Sequence, residues 1–181
     1  MKKVYFIAYL LLGMFLFSCV NDLDSIKRVT SRSDAPDDVT EDLEIMQTDS
    51  GYAQFQLYAK IAETYTKPEA LTKLKGGLKV NFFSKNGEIV STLTASYGEI
   101  NMSKGMFFVR DSVQLVNYEK NQRMETEELF WSQKDSSVFT NKAVIVRNPK
   151  GVLFGQGIRT KQDFSTYVFL KPTGRIDFDK K

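Results

Sequence analysis

Histidine is absent from this chain of 181 residues, and cysteine occurs once. Imidazole is the side chain that titrates near neutral pH and often binds zinc or iron, so its absence excludes histidine general bases, Ser-His triads and histidine metal centres. The single cysteine, Cys19, excludes an intrachain disulfide and a CxxC redox site. The sequence therefore predicts a protein that is not an enzyme and that needs no cofactor or metal.

The chain also has no large excess of positive or negative charge. The chain has 25 basic and 22 acidic residues, a net charge of +3. Without Lys2 and Lys3, which lie in the leader described next, 23 basic residues remain against 22 acidic ones, or +1. This balance does not favour nucleic acid as a partner. Hydrophobic residues make up 42% of the chain, which is enough for one domain with a core.

The N-terminus is typical of an export signal. Two lysines precede the uncharged run 4–17, and the small residue Ser18 stands directly before Cys19. This arrangement resembles the bacterial lipobox, although Phe17 is bulkier than the residue commonly found there. We therefore expect a lipoprotein signal peptide over 1–18 and an acylated Cys19. An uncleaved transmembrane anchor is the alternative, but the run falls short of the ~20 residues that span a bilayer.

Residues 19–50 are polar and acidic, which predicts a lipidated N-terminus followed by a flexible, disordered linker. A short helix is expected within it over Glu41 to Met46. A calcium site is the alternative, but the acidic residues lack the ligand spacing and the glycine turn of a calcium-binding loop.

Alternating apolar residues begin at Gly51 and predict an all-β domain over 51–178. The clearest hairpin joins Leu78–Phe83 to Glu88–Ala95 through Asn86-Gly87. Lys67-Pro68 breaks the pattern, and the stretch to Gly77 allows a helical turn. Further strands are predicted at Tyr52–Tyr65, Gly98–Met102, Met106–Arg110, Val113–Asn117, Met124–Trp131, Ser137–Thr140, Ala143–Arg147 and Val152–Ile158. For Tyr52–Tyr65 an amphipathic helix is the alternative, because some of its apolar residues also have helical spacing. Connections this short exclude crossover helices, so the strands are antiparallel and form either a closed barrel or two packed sheets of jelly-roll type.

One face of these strands is apolar and must be covered. Alternation predicts that the following residues point inward and form a candidate lipid-binding groove: Phe55, Leu57, Val80, Phe82, Leu93, Ile100, Phe107, Val109, Val113, Leu115, Leu129, Trp131, Val144 and Val146. Glu125, Glu127 and Glu128 could supply a glycosidase-like carboxylate pair, but nothing in their spacing favours it over a solvated strand edge.

Several short segments occur in an order and spacing similar to those of a known family. They are Val80-Asn81-Phe82-Phe83, Asn86-Gly87, Ser91-Thr92-Leu93-Thr94-Ala95, Gly98-Glu99-Ile100, Val113-Gln114-Leu115-Val116-Asn117, Met124 to Trp131, Thr140 to Val144, Gly155-Gln156-Gly157, Gln162 to Tyr167 and Pro172 to Ile176. The chain thereby resembles the LptC family, the periplasmic component of the lipopolysaccharide-export ABC transporter. The best-studied relatives keep an N-terminal transmembrane helix, whereas this chain has the features of a lipoprotein.

The resemblance implies an OstA-like antiparallel β-jelly roll, in which two sheets form a twisted slot for the acyl chains of lipopolysaccharide. It implies a relay that receives lipopolysaccharide extracted by the transporter and passes it to a periplasmic bridge protein of the same fold. The expected partners are lipopolysaccharide, that bridge protein and the transporter's membrane subunits. The expected location is the periplasm, with a lipid anchor in the inner membrane; an outer-membrane lipoprotein is the alternative. Lys79, Arg110 and Arg147 are candidates for contacts with lipid phosphates.

A rival hypothesis is a structural lipoprotein scaffold whose β core is filled by its own side chains. In that case the inward residues listed above hold the domain together and never touch lipid.

Mass spectrometry of the mature N-terminus tests the predicted anchor. We expect the mature chain to begin at a Cys19 that carries acyl groups, and Cys19→Ser to release the protein from the membrane fraction. A mature protein that begins at an unmodified Met1 would contradict the prediction.

Overall fold

The computed structural model describes residues 35–177, and every structural statement below refers to them. They form ten antiparallel strands and no helix, as the predicted all-β fold class requires. The strands are β1 (Asp38–Asp49), β2 (Tyr52–Tyr65), β3 (Leu71–Phe83), β4 (Ile89–Ala95), β5 (Tyr97–Asn101), β6 (Met106–Asn117), β7 (Gln122–Ser132), β8 (Ser137–Asn148), β9 (Gly151–Lys161) and β10 (Tyr167–Asp177). The predicted signal peptide, Cys19 and residues 20–34 of the predicted linker lie outside the described residues, as does Phe178.

All ten strands belong to one hydrogen-bonded sheet in the order β1-β2-β3-β4-β6-β7-β8-β9-β10. β5 pairs with the same two neighbours as β4, namely β3 and β6. Along β3, Leu78 faces Ala95 of β4 and Leu74 faces Gly98 of β5. β4 and β5 are therefore successive halves of one strand that is broken at Ser96. The sheet ends at β1 on one side and at β10 on the other.

The strands are interrupted near their middles, and the interruptions lie opposite one another. In β6, Asp111 and Ser112 adopt φ of 66° and 57° and together oppose one residue of β7, which is a β-bulge. From β1 to β9 the interruptions are at Asp42, Lys60, Gly76–Gly77, Ser96, Asp111–Ser112, Glu127, Asn141–Lys142 and Gly157. Bulges bend strands, so a row of them in register bends the whole sheet along one line, here called the fold line.

The fold line divides the sheet into two layers that pack face to face. Phe55 in β2 and Trp131 in β7 are four strands apart in the sheet, a separation of roughly 19 Å at ordinary strand spacing. Their ring centroids nevertheless lie 4.9 Å apart. The layer that contains β4 is here called the β4 leaf and comprises 43–49, 52–59, 78–83, 89–95, 113–117, 122–126, 143–148, 151–156 and 171–177. The β5 leaf comprises 38–41, 61–65, 71–75, 97–101, 106–110, 128–132, 137–140, 158–161 and 167–169.

Buried side chains of both leaves meet in a single core. On β2 the buried positions change from odd to even numbers at the fold line, from Ala59 to Ala62, and on β7 they change from Met124 to Leu129. The bulges thus correct the register, so the apolar face stays inside on both sides of the bend. One alternating strand pattern can therefore fill one core from two leaves.

The prediction of a flexible linker with a short helix is wrong for Asp38–Asp49. These residues form strand β1, which pairs along β2. Only one side of this edge strand is paired, and only Leu43 and Ile45 pack against the core, so most of its side chains are free to be polar. The residue at the fold line, Asp42, has φ of 49° and interrupts the alternation. Because of these two features, β1 lacks the regular alternation of apolar and polar residues by which a strand is predicted.

Three other expectations differ from the structure. The stretch that allowed a helical turn before Gly77 is the first half of β3, and the two pairs of short strands predicted at 106–117 and 137–147 are single strands with a central bulge. Strand β10 was not predicted from alternation. Its outward Val168 and Leu170 are more than half exposed, so an edge strand with apolar residues on both faces shows no clear period.

Gly155 allows β9 and β10 to approach closely, and this contact can be tested. A Cβ at this position would lie 3.0 Å from the carbonyl oxygen of Lys171 and closer still to the Phe169 ring. We expect Gly155→Ala to lower the free energy of unfolding by about 1–3 kcal/mol in urea titrations, because the added methyl overpacks the strand pair. Gly174→Ala on β10 is the matched control: its Cβ has no neighbour within 4 Å, so a change below about 1 kcal/mol is expected. Equal losses in the two variants would contradict this account.

Candidate functional site

The space between the two leaves is where the structure places the fourteen predicted groove residues. All are buried, with exposed fractions between 0% for Leu115 and Val146 and 8% for Phe107. The β4 leaf supplies Phe55, Leu57, Val80, Phe82, Leu93, Val113, Leu115, Val144 and Val146, and the β5 leaf supplies Ile100, Phe107, Val109, Leu129 and Trp131. The structure therefore brings them together, in a core that their own side chains fill.

Four aromatic rings join the leaves at one end of this core. Trp131 lies at their centre, with ring centroids 4.4 Å from Phe107, 4.9 Å from Phe55 and 5.1 Å from Phe82. The contacts with Phe55 and Phe82 are edge-to-face, at 85° and 86°. Such pairs contribute about 0.5–1.5 kcal/mol each beyond the burial of area. This cluster holds the tips of the two leaves together.

The indole N–H of Trp131 is a buried donor without a hydrogen-bond partner in residues 35–177. A buried donor that finds no acceptor costs about 1–3 kcal/mol. A carbonyl or hydroxyl oxygen beside the ring would remove this cost by accepting a hydrogen bond from the indole N–H. Trp131 is thus both the centre of the aromatic cluster and a point at which an acceptor would be stabilised.

A polar cavity of about 290 Å³ borders the aromatic cluster, with Phe55 and Trp131 among its lining residues. The remaining wall is polar and is formed by Gln47, Asp49, Gln54, Gln133, Ser136 and Gln162. The amide of Gln133 in the β7–β8 turn donates to Oε1 of Gln47 at the end of β1, over 3.3 Å. This opening, here called the glutamine mouth, is closed between the leaves by a neutral hydrogen bond rather than by apolar packing.

The loop between β9 and β10 closes another part of the core. Ser91 and Asn117 of the β4 leaf donate to the carbonyl oxygens of Gln162 and Asp163 over 3.1 and 2.6 Å, and Gln122 donates to that of Phe164. Phe164 is fully buried. Alternation does not predict Phe164 as a core residue, although it lies inside the segment from Gln162 to Tyr167 that carries part of the family resemblance.

Both edges of the sheet border the core. Leu43 and Ile45 from β1, and Tyr167 and Phe169 from β10, are partly buried and pack against it. Each edge strand pairs with one neighbour only, so its outer backbone N–H and C=O groups can pair with another strand.

The three basic residues predicted to contact lipid phosphates do not line the space between the leaves. Arg110 pairs with Asp111 over 2.7 Å, Arg147 lies 3.6 Å from Glu125, and the Lys79 ammonium stands over the Tyr58 ring at 5.1 Å. All three are exposed on the outside of the leaves. Glu125 also pairs with Arg123 at 2.9 Å, which is a surface ion-pair arrangement and not a cleft with two free carboxyl groups.

Groups with a shifted pKa also lie on the outside. Burial, together with the hydrogen bond that its hydroxyl donates to Glu99 over 2.7 Å, raises the pKa of Tyr97 to about 12. Hydrogen bonds from Lys75 and Tyr65 hold the pKa of Glu63 below its ordinary value. These side chains alternate with the buried ones of their strands, so they stabilise the outer surface of the β5 leaf. The described part of the chain contains no group of three or more acidic residues that could hold a metal ion.

Residues 35–177 also contain no helix long and apolar enough to cross a membrane. A comparison with curated proteins gives no match to this chain. A family model described as "Lipopolysaccharide-assembly, LptC-related" matches residues 6–171, which is most of the sequence. That family takes part in lipopolysaccharide transport as a non-enzymatic component, and it is periplasmic and tied to the inner membrane. The extent of this match, together with a single antiparallel sheet folded over an apolar interior, leads to one conclusion: the chain belongs to the LptC family.

Proposed function

We propose that this protein relays lipopolysaccharide between the inner-membrane ABC transporter and a periplasmic bridge protein of the same fold, without chemistry of its own. The observation that carries the proposal is the interior of the folded sheet, which is apolar on both leaves and bordered by two unpaired edges. Each methylene group exposed to water costs about 0.8 kcal/mol, so a lipid with several acyl chains needs such an interior to cross an aqueous space.

Lipid enters this interior when the leaves separate. The fourteen candidate residues are 0% to 8% exposed, so acyl chains replace contacts between the leaves instead of filling an empty slot. Separation by bending at the fold line leaves the hydrogen-bonded ladder of the sheet intact, because the bulges already interrupt it there. At the glutamine mouth, the neutral bond between Gln133 and Gln47 can be exchanged for hydrogen bonds to water at little net cost.

The unpartnered N–H of Trp131 supports the same proposal. Acyl chains are attached through ester or amide groups, whose carbonyl oxygens accept hydrogen bonds. Trp131 and Phe55 both line the glutamine mouth, so an acyl group that enters there comes beside the indole. The bond to the indole would offset part of the contacts that the leaves lose.

The edges β1 and β10 suit head-to-tail assembly. An added strand satisfies the unpaired backbone groups of an edge and joins one apolar interior to the next. One edge would then meet the membrane subunits of the transporter and the other the bridge protein. An acylated Cys19 would keep the domain at the inner membrane.

The scaffold function remains the second candidate, and the complete burial of the core favours it. A core whose residues are 0% to 8% exposed is stable without a ligand, as the centre of an assembly platform should be. The two functions differ in one respect: only the relay exposes the inner face to lipid.

Photo-crosslinking separates these functions, with matched positions on the same strands. A photoreactive residue at Phe107 or Trp131 should capture lipopolysaccharide during ATP-driven transport, because both side chains face the core. Phe108 and Phe130 are the controls, because each is the sequence neighbour of a probed residue and faces the opposite side, where their ring centroids lie 4.9 Å apart. Capture at Phe82 should resemble that at Phe107.

The result that excludes the relay is equally specific. Capture that is absent at Phe82, Phe107 and Trp131, or no greater there than at Phe108 and Phe130, would show that lipid does not pass between the leaves.

A further inference from the structure

A second cavity lies at the other edge of the sheet, beside β10. Its volume is about 530 Å³, and it is built by the β6–β7 turn, the β8–β9 turn and strand β10. Each of these segments contributes one basic residue: Lys120, Lys150 and Arg175. We call this cavity the cationic pocket. The three side chains come from distant parts of the sequence, so only the fold brings them together.

Among the residues whose side chains the structure describes, none that lines the cationic pocket is acidic. The ammonium group of Lys120 donates to the carbonyl oxygen of Ser165, which is a neutral acceptor and leaves the charge uncompensated. Lys150 makes no ion pair with any residue in 35–177, whereas Arg110, Arg123 and Arg147 on the outside of the leaves all do. The ammonium groups of Lys120 and Lys150 border one cavity and repel each other, and an anion between them removes that repulsion.

Neutral donors complete the wall. The Asn148 amide donates to the Tyr167 hydroxyl over 3.3 Å, which leaves the hydroxyl proton of Tyr167 for another acceptor. A phosphate group has several acceptor oxygens and makes strong charge-assisted hydrogen bonds with lysine and arginine. The donors of this pocket therefore fit a phosphate ester better than an uncharged sugar.

Part of the pocket wall is apolar and also contacts the core. Leu153 and Tyr167 line the cavity, and both also pack against the buried residues between the leaves. A small hydrophilic anion gains nothing from this wall. An amphiphile gains twice, because its charged group meets the cations while its apolar part lies against the side chains that lead inward.

We propose that the cationic pocket binds a phosphate group of the acylated sugar of lipopolysaccharide and so positions its acyl chains at the β10 edge. This inference rests on the relay function proposed above and adds to it the part of the substrate that is recognised and the end of the slot where this occurs.

The test compares two triple variants of the full chain that remove the same charge. One carries Lys120→Gln, Lys150→Gln and Arg175→Gln; the control carries Lys79→Gln, Arg110→Gln and Arg147→Gln on the outside of the leaves. Binding is measured with intact lipopolysaccharide and with the same material after its phosphate groups have been removed. All six positions are exposed, so both variants should fold, which thermal unfolding by circular dichroism verifies.

The pocket variant should bind intact lipopolysaccharide at least about tenfold more weakly than the unmodified protein, because it loses the charge-assisted hydrogen bonds to the phosphate group. Its affinity for dephosphorylated lipopolysaccharide should be unchanged, and the control variant should keep the preference for the intact form. Equal affinity of the pocket variant and the unmodified protein for intact lipopolysaccharide would overturn the inference, as would an equal loss in the control variant.

Two further arms separate the remaining outcomes. Inorganic phosphate alone should bind far more weakly than intact lipopolysaccharide; equal affinity would make the pocket a site for free phosphate and overturn the lipid assignment. An unmodified protein that binds both forms of lipopolysaccharide equally well contradicts the phosphate site but leaves the relay intact. An unmodified protein that binds neither form contradicts the relay itself.

Discussion

The row of bulges across the sheet is the constraint on which the rest of this structure depends. A single sheet of ten strands has one apolar face, and without a bend that face would stay in water. The strand interruptions lie opposite one another, from Asp42 on β1 to Gly157 on β9. They fold the sheet so that the two halves of its apolar face cover each other. Because the fold closes by bending and not by pairing β1 with β10, both edges stay free while the core is fully buried. A filled interior and two open edges both follow from this one feature.

Much of the interior could be predicted from the sequence, because alternation reports directly which side of a strand a residue occupies. All fourteen inward positions, from Phe55 to Val146, are buried. Alternation failed where side chains carry little information: on β1, which buries only parts of Leu43 and Ile45, and on β10, which is apolar on its outer side as well. It also split β6 and β8 at their bulges, because a bulge interrupts the alternation in the same way as a turn. The cationic pocket could not be predicted, since Lys120, Lys150 and Arg175 meet only after the turns and β10 are placed.

The charged side chains that the structure describes lie outside the core, and none of them is buried. Charged residues and those with a shifted pKa, such as Tyr97 and Glu63, stabilise the outer surface through hydrogen bonds and ion pairs. Inside, the exposed fractions are close to zero, and the indole N–H of Trp131 is the one buried side-chain group in residues 35–177 without a partner. A conduit for acyl chains requires this division, because it must bind lipid without holding it at any single strong site. The polar groups that could select the cargo lie instead at the two ends, at the glutamine mouth and the cationic pocket.

The central claim is that the two leaves must part to admit lipid, and locking them together tests it directly. Gln47 lies on the β4 leaf and Gln133 in the turn that follows β7 of the β5 leaf, and their side-chain amides form a hydrogen bond. The variant Gln47→Cys with Gln133→Cys, in a Cys19→Ser background, can therefore be joined across the glutamine mouth by a bifunctional maleimide reagent with a short, reducible spacer. The measurement is lipopolysaccharide binding by the crosslinked variant before and after reductant cleaves the spacer. We expect binding at least about tenfold weaker in the crosslinked protein and full recovery on cleavage. Equal binding by the crosslinked and cleaved forms, with the crosslink verified by mass spectrometry, would contradict the account.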